Sequence, residues 1–335
     1  MYFNSMRVSV VLPFFNADYT LQRAVDSVLE QSEPCELILV DNNPSPSEVA
    51  RSLAHNSNQI NLIHEPRKGI VNALNAGIEA ASCDYIARMD ADDIMLPNRL
   101  KLQADYLDAH PHIKLVSGMV EYAGNIDDAR GYAEYVDQIN SIQSTEHIFR
   151  YRFIEAPVAH PSVMFRKSIT DRLPVYREGQ FPEDYELWLH VLQEHPYSFA
   201  KLPVPVLRWF DSAQRLSRHH ASYSEEAFSR VRLNYLAEWL IKQGNHQRPI
   251  LIVGGGKKAK QKIKYLLDCG VTMSAFSDLK PRKIEGLTFI PWTEVSPQLG
   301  YYLVSLVSNR HAWKIIENEL VARCFNPETD FILAG

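Results

Sequence analysis

From the eighth residue onward, short apolar runs alternate with amphipathic helical patterns, and that alternation restricts the chain more than any other feature. Val8-Ser-Val-Val-Leu-Pro-Phe-Phe15 reads as a buried strand stopped by Pro13 and Asn16. Residues 20 to 31 have helical spacing, with Leu21, Ala24, Val25 and Val28 on one face. Glu36-Leu-Ile-Leu-Val-Asp41 is a second strand, Ile60-Asn-Leu-Ile-His64 a third and Asp84-Tyr-Ile-Ala-Arg-Met89 a fourth. The turn Pro44-Ser-Pro-Ser47 caps one helix, and residues 69 to 81 are again helical by pattern. Strands alternating with helices predict an α/β fold with a mostly parallel sheet covered on both faces. In such a sheet ligands lie beyond the carboxyl ends of the strands. Pro13-Phe-Phe-Asn16, Asp41 and the acidic turn Asp90-Ala-Asp-Asp93 all fall at such ends.

The acidic turn is the strongest chemical signal. Its carboxylates are hard oxygen ligands, suited to a divalent cation that also holds phosphate oxygens. Clustered like charges are costly unless something positive neutralises them. An acidic turn before a helix is the plain alternative, because Pro97 and Asn98 open a helical pattern and Asp93 reads as its cap.

Composition narrows the class. A chain of 335 residues with 46% apolar and 22% charged residues is long enough for two domains and a sizeable core. A net charge of -5 argues against broad nucleic-acid binding. Cys35, Cys83, Cys269 and Cys324 are scattered without metal-ligand spacing and read as reduced thiols, which predicts a cytoplasmic protein. No signal peptide is visible and no run is long enough to cross a bilayer, which leaves peripheral contact at the inner membrane face open.

Taken together and in order, Val10-Val-Leu-Pro-Phe-Phe-Asn16, Leu39-Val-Asp-Asn42, Arg67-Lys-Gly-Ile-Val-Asn-Ala-Leu-Asn-Ala-Gly77 and Arg88-Met-Asp-Ala-Asp-Asp93 resemble the nucleotide-sugar half of a family 2 glycosyltransferase with the GT-A fold. Downstream, Phe181-Pro-Glu-Asp-Tyr-Glu-Leu-Trp188 resembles that family's acceptor-side Glu-Asp motif. The resemblance covers roughly residues 6 to 220. The acid after the second strand is often doubled in the family, whereas here Asp41 is followed by Asn42 and Asn43.

The resemblance implies an inverting transferase that uses a nucleotide-diphosphate sugar, a UDP-sugar, with Mg²⁺ or Mn²⁺. It implies a carbohydrate or lipid-linked carbohydrate acceptor. Pro13, Phe15, Asn16, Asp41, Lys68 and Asp90 would line the donor, and Asp92, helped by Asp90, would hold the metal. Asp184 would be the general base, with Glu183 next in line. Both fall at a helix start, where the dipole and free N–H groups favour anions and where acids also serve as plain caps. Asp41 either accepts a nucleobase N–H or shapes a turn. Lys68 either offsets diphosphate charge or is simply solvated. His160-Pro-Ser-Val-Met-Phe165 reads as the strand preceding the catalytic helix. Arg215 and Arg218, in a basic stretch that also carries His219 and His220, would close over the pyrophosphate, with His219 completing the metal shell; the alternative is a basic linker.

The expected domains are residues 1–222 for catalysis, 223–246 for a connecting helix and linker, and 247–335 for a small Rossmann-like α/β unit. That last unit opens with Pro249-Ile-Leu-Ile-Val-Gly-Gly-Gly256, and Gly254, Gly256 and Ala259 fit a dinucleotide fingerprint, with Asp278 near the ribose-binding position. Only about ninety residues remain there, so a scaffold that binds nothing is the preferred reading. A sugar-nucleotide nucleotidyltransferase and a non-catalytic sugar-nucleotide-binding protein are the rivals for the whole chain. The first is disfavoured because no glycine-rich phosphate loop follows the first strand. A homo-oligomer is left open.

Overall fold

The computed structural model describes residues 6–124, 130–211, 218, 220–242, 248–309, 312–327 and 329–335. The chain divides into two compact units. The first comprises Met1–Ile148 and Pro157–Tyr223, and the second Phe149–Ala156 and Ser224–Gly335.

In the first unit the alternation forms β1 (Val8–Phe14), α1 (Asp18–Leu29), β2 (Cys35–Asp41), α2 (Glu48–Asn56), β3 (Ile60–His64), α3 (Ile70–Ala80) and β4 (Tyr85–Arg88). Then come β5 (Ile94–Met95), α4 (Arg99–Ala109), β6 (Leu115–Tyr122), α5 (Arg130–Ser141), α6 (Thr145–Tyr151, whose last residues from Phe149 on belong to the second unit), β7 (Met164–Arg166), α7 (Glu183–Glu194) and β8 (Phe199–Trp209). These strands make one sheet in the order β3-β2-β1-β4-β7-β6-β8-β5. β1 to β4 pair in parallel, as do β6 and β8, while β7 and β5 run antiparallel to their neighbours.

Position in the sheet explains the local sequence. β1 is central and every residue in it is buried, so it reads as a continuous apolar run, whereas the edge strand β3 is only half-buried. Pro13 does not stop β1 but lies inside it, opposite Val40. The β4 ladder has already ended at Val11 and Arg88, so the missing proline N–H breaks no pairing there. Helix α3 lies close on the sheet because Gly77 has no Cβ; one added there would lie 2.4 Å from Val11 Cγ1. The predicted strand from His160 is shorter than expected. His160–Ser162 is a 3₁₀ turn and only Met164–Arg166 pairs with β4, because Pro161 lacks a ladder donor.

Because β1 has β2 on one side and β4 on the other, strand order reverses at β1. The ends of β1, β2 and β4 deliver Phe15-Asn16, Asp41–Asn43 and Asp90–Asp93 to that edge.

The second unit holds a parallel sheet of β9 (Ile250–Val253), β10 (Ala275–Ser277), β11 (Thr288–Phe289), β12 (Tyr302–Ser305) and β13 (Phe331–Leu333), in the order β11-β10-β9-β12-β13. Its helices are α8 (Glu225–Lys242), α9 (Lys257–Asp268) and α10 (Ala312–Ala322). Phe153 and Trp239 pack ring to ring, and Tyr151 donates to Glu317 at 2.6 Å. The segment 149–156 and α8 are therefore built into this unit.

Candidate active site

The acidic turn follows directly from β4. One oxygen each from Asp90, Asp92 and Asp93 lies within 4.8 Å of the others. Asp93 is fully buried and accepts the Phe210 N–H at 2.9 Å, which pins the turn to the end of β8. It does not cap α4, whose first turn is preceded by Asn98. Asp90 and Asp92 are half-buried, so they can meet both solvent and a ligand. The Asp92 carbonyl accepts from Arg23 at 2.6 Å, and that guanidinium lies over the Phe210 ring. An all-oxygen donor set with two reachable carboxylates fits a hard divalent cation.

Arg88, two residues before the turn, is buried and ion-paired with Asp90. Its Nε has no hydrogen-bond partner among the described residues. Burial works against its charge, and Asp90 beside it more than restores it. Arg99 from α4 is also fully buried and donates to the carbonyls of Pro161 at 2.8 Å, Arg88 at 2.9 Å and Val163 at 3.1 Å. One side chain thus clamps the end of β4 to the turn that carries His160.

The donor-side loops are tied by amides. Asp41 is buried and accepts at one oxygen from the Asn43 N–H at 3.0 Å and the Asn43 side chain at 2.7 Å, and at the other from the Ser47 N–H at 2.6 Å. Its carboxylate holds the loop after β2 in shape. Asn42 donates to the carbonyls of Glu65 and Arg67 at 2.7 and 2.8 Å and accepts the Gly69 N–H at 2.9 Å. Asn43 accepts the Asn16 N–H at 2.8 Å. The two asparagines that replace the expected acid therefore join three loops. Phe15 is exposed, and the Lys68 ammonium lies 5.6 Å from its ring centre.

The second carboxylate centre opens α7. Pro182 precedes the helix, so Glu183 and Asp184 occupy its first turn. Glu183 is buried and accepts the Tyr223 hydroxyl at 2.5 Å, and His160 Nδ1 lies 3.9 Å from its other oxygen. His160 Nε2 shares a 2.8 Å hydrogen bond with the Tyr176 hydroxyl, and the Tyr176 backbone exchanges hydrogen bonds with Asn75 of α3. Burial holds His160 neutral, with Arg88 adding to the effect. Burial also pushes both carboxyls above the ordinary range, and for Glu183 the adjacent Asp184 adds to it. For Asp184 the Tyr185 N–H, at 2.7 Å, and the charge of Arg88 pull the other way, while Asp90 raises it. Asp184 is thus within electrostatic reach of the acidic turn.

Among the remaining expected residues, Arg218 is ion-paired with Asp211 and lies over the Tyr132 ring. Arg215 and His219 lie outside the described residues. Arg88, although it opens the acidic motif, was given no role in sequence reading, and Tyr176 and Tyr223 gave no signal. Arg88 sits inside a strand pattern, and the tyrosines act only through long-range contacts.

Comparison with known proteins places this geometry. The family model for Glycosyl transferase family 2 matches residues 9–173. An amylovoran biosynthesis glycosyltransferase of Erwinia amylovora is 29% identical over 203 residues, covering 58% of this chain and 73% of that protein. A putative glycosyltransferase of Bacillus subtilis is 31% identical over 198 residues, covering 56% of this chain and 67% of its own length. A UDP-Glc:alpha-D-GlcNAc-diphosphoundecaprenol beta-1,3-glucosyltransferase of Escherichia coli is 34% identical over 98 residues, covering 29% of this chain and 39% of that protein. The structure of S. aureus TarS with UDP-GlcNAc superposes with a TM-score of 0.54 at 15% identity, over 79% of this chain and 72% of that one. The acidic turn lies within the stretch that the family model matches, and the fold is shared with the TarS structure: the chain belongs to glycosyl transferase family 2.

Proposed function

We propose that the chain moves a sugar from a nucleoside-diphosphate donor, a UDP-sugar, to a hydroxyl of a carbohydrate or lipid-linked carbohydrate, with inversion at the anomeric carbon. The observation that carries this reading is the convergence of two carboxylate centres on Arg88: its charge acts on Asp184, and its guanidinium pairs with Asp90. The names of the E. coli relative and of the TarS complex support a UDP-sugar donor, and the first also supports a lipid-diphosphate acceptor.

Asp92 and Asp90 would hold Mg²⁺ or Mn²⁺, which when bound supplies positive charge to the departing diphosphate. Asp184 takes the proton of the acceptor hydroxyl as its oxygen bonds to the anomeric carbon and the bond to the diphosphate oxygen breaks. Its raised affinity for protons suits a base working near neutrality. Glu183, engaged by Tyr223, keeps the start of α7 in place and is the less available base. Asn42, Asn43 and Asp41 fix the loops around the nucleoside, and Phe15 offers it an exposed ring face. Among the described residues no helix is long and apolar enough to cross a membrane.

The test is calorimetric titration of UDP into the parent and into Asp92→Asn, with Mn²⁺ and with chelator. Metal-dependent UDP binding that the substitution abolishes is expected. Equal binding by the variant would remove Asp92 from the site.

A further inference from the structure

We propose that the carboxyl edge of the five-stranded sheet is a second ligand site, built for a ribonucleoside diphosphate with a free ribose diol. This proposal does not depend on the transferase reading, because none of its residues belongs to the acidic turn or to α7.

The strand order β11-β10-β9-β12-β13 is that of the first five strands of a dinucleotide-binding sheet, with the reversal at β9. Ligands of such sheets lie at that reversal. The turn that leaves β9 is Gly254-Gly-Gly256, followed by Lys257-Lys-Ala259. Gly254 has φ +112°, and a Cβ there would lie 3.1 Å from Val307 Cγ2, beside the end of β12. Gly256 differs. Its backbone, at φ -69° and ψ 176°, is one any residue adopts, and an added Cβ would meet nothing within 4 Å. Neither conformation nor packing within the chain requires glycine there. Glycine there leaves the backbone open to an approaching ligand, between which and the chain a side chain would stand.

The helix that follows is α9. It has no side-chain cap and no acid in its first turn, which instead carries Lys257 and Lys258, the second of them ion-paired with Glu225 of α8. Positive side chains at a helix start are unfavourable unless an anion meets the free N–H groups. Lys260 donates to the Lys283 carbonyl at 2.9 Å, and Lys280, Arg282 and Lys283 are exposed on the loop after β10. A phosphate group therefore faces cations from both α9 and that loop.

Two groups at the end of β10 complete the site. Asp278 accepts the Gly255 N–H at 2.8 Å through Oδ2, which also meets Arg282 Nε at 3.0 Å. Among the described residues its Oδ1 has only a long contact, 3.3 Å, from the Lys280 N–H. That oxygen occupies the place from which an acid accepts ribose hydroxyls in sheets of this order. Beside it, Ser277 accepts the Gly254 N–H at its carbonyl at 2.8 Å, while its hydroxyl is fully buried and has no hydrogen-bond partner among the described residues. Such groups are uncommon in folded chains. This one lies where the glycine turn begins, level with Val253 of β9. The uncapped helix and its exposed lysines take the phosphates and Asp278 takes the diol, while the Ser277 hydroxyl, closed off in this structure, would gain a partner only if a ligand opened the turn.

Isothermal titration of the full chain with ADP, UDP and NAD⁺, in chelator and in an Asp92→Asn background, tests this. At least one of the three binds without metal, and the three arms identify the base and the length of the ligand. Gly256→Val, which the open space tolerates, weakens that binding by about tenfold or more, as does Asp278→Asn, the usual size for a lost contact to a charged group. The 2′-deoxy form of the bound nucleotide loses affinity in the parent but loses little more in Asp278→Asn. Thermal unfolding of each variant without ligand confirms that it is folded, and Gly256→Ala replaces the valine if it is not. The proposal is overturned if none of the three binds at millimolar concentration, or if a folded Gly256 variant binds as the parent does.

Discussion

Replacing Arg88 with Met probes the charge balance on which the site is built. The aliphatic stem keeps its volume, while the cation facing Asp90, Asp93, Glu183 and Asp184 is lost. The Arg88 side chain is 5% exposed and that of Asp90 22%. Breaking a fully buried pair costs about 3–5 kcal/mol. Because Asp90 keeps part of its surface in water, roughly 2–4 kcal/mol is the better figure here. For a unit of this size each kcal/mol moves the melting temperature by about 2–4 °C, so a fall of roughly 4–16 °C is expected. The assay is scanning calorimetry, read on the transition that UDP and Mn²⁺ shift. The two together should raise the melting temperature of Arg88→Met more than that of the parent, since the ion restores missing positive charge. A variant that melts within about 1 °C of the parent, well inside that scale, would refute the assignment of Arg88 as the counter-charge of the site.

Four further outcomes follow from the geometry. Tyr223→Phe leaves buried Glu183 without its 2.5 Å donor and should destabilise by about 1–3 kcal/mol in denaturant unfolding; no change would mean that the contact contributes nothing. Asn42→Ala removes three hydrogen bonds of a buried side chain and should lower the melting temperature as well as weaken UDP binding by about tenfold, whereas unaltered affinity would separate the Gly69 loop from the donor. Because burial raises the Glu183 and Asp184 carboxyls, the folded state binds their protons more tightly than the unfolded one. Their stabilisation is therefore complete at low pH and is lost as pH rises through the raised values, while transfer falls as Asp184 is protonated. Stability and kcat/KM should move in opposite directions with pH, the rate limb lying above about 4, and a limb at the ordinary carboxylate value would contradict burial of the base. Truncation after residue 223 strips segment 149–156 of its partners, including Trp239 and Glu317, and should give aggregating protein; a well-behaved monomer in sedimentation would contradict that.

The sheet and its functional edge were legible because burial writes a period into the sequence. β1, β2 and β4 are covered on both faces, so their runs are continuous and end where polar groups reach the open edge. The acidic turn and the Glu-Asp pair at a helix start were readable for the same local reason. What was not readable depends on contacts distant in sequence. Tyr223 lies 40 residues from Glu183, and no pattern relates them. Asp93 looked like a cap because Pro97 and Asn98 follow it, yet its partner is the Phe210 N–H. Arg88 is one polar residue in an apolar strand, indistinguishable by pattern from an exposed one. For Asp41 the sequence left a nucleobase acceptor and a turn-shaping acid side by side, and only the fold shows the chain turning back to donate to both of its oxygens. The segment 149–156 belongs with the second sheet through Phe153 and Tyr151, and short apolar residues in a polar stretch carry no address.

The most direct test of the catalytic account is single-turnover transfer by Asp184→Asn, measured together with its donor affinity. The amide keeps the shape and the helix start but cannot take a proton. Donor binding with Mn²⁺ should stay within about twofold of the parent, while the transfer step falls by a factor of about 10² to 10⁴, the usual size of a general-base contribution. Parent-like transfer by a variant that still binds donor would show that Asp184 is not the base.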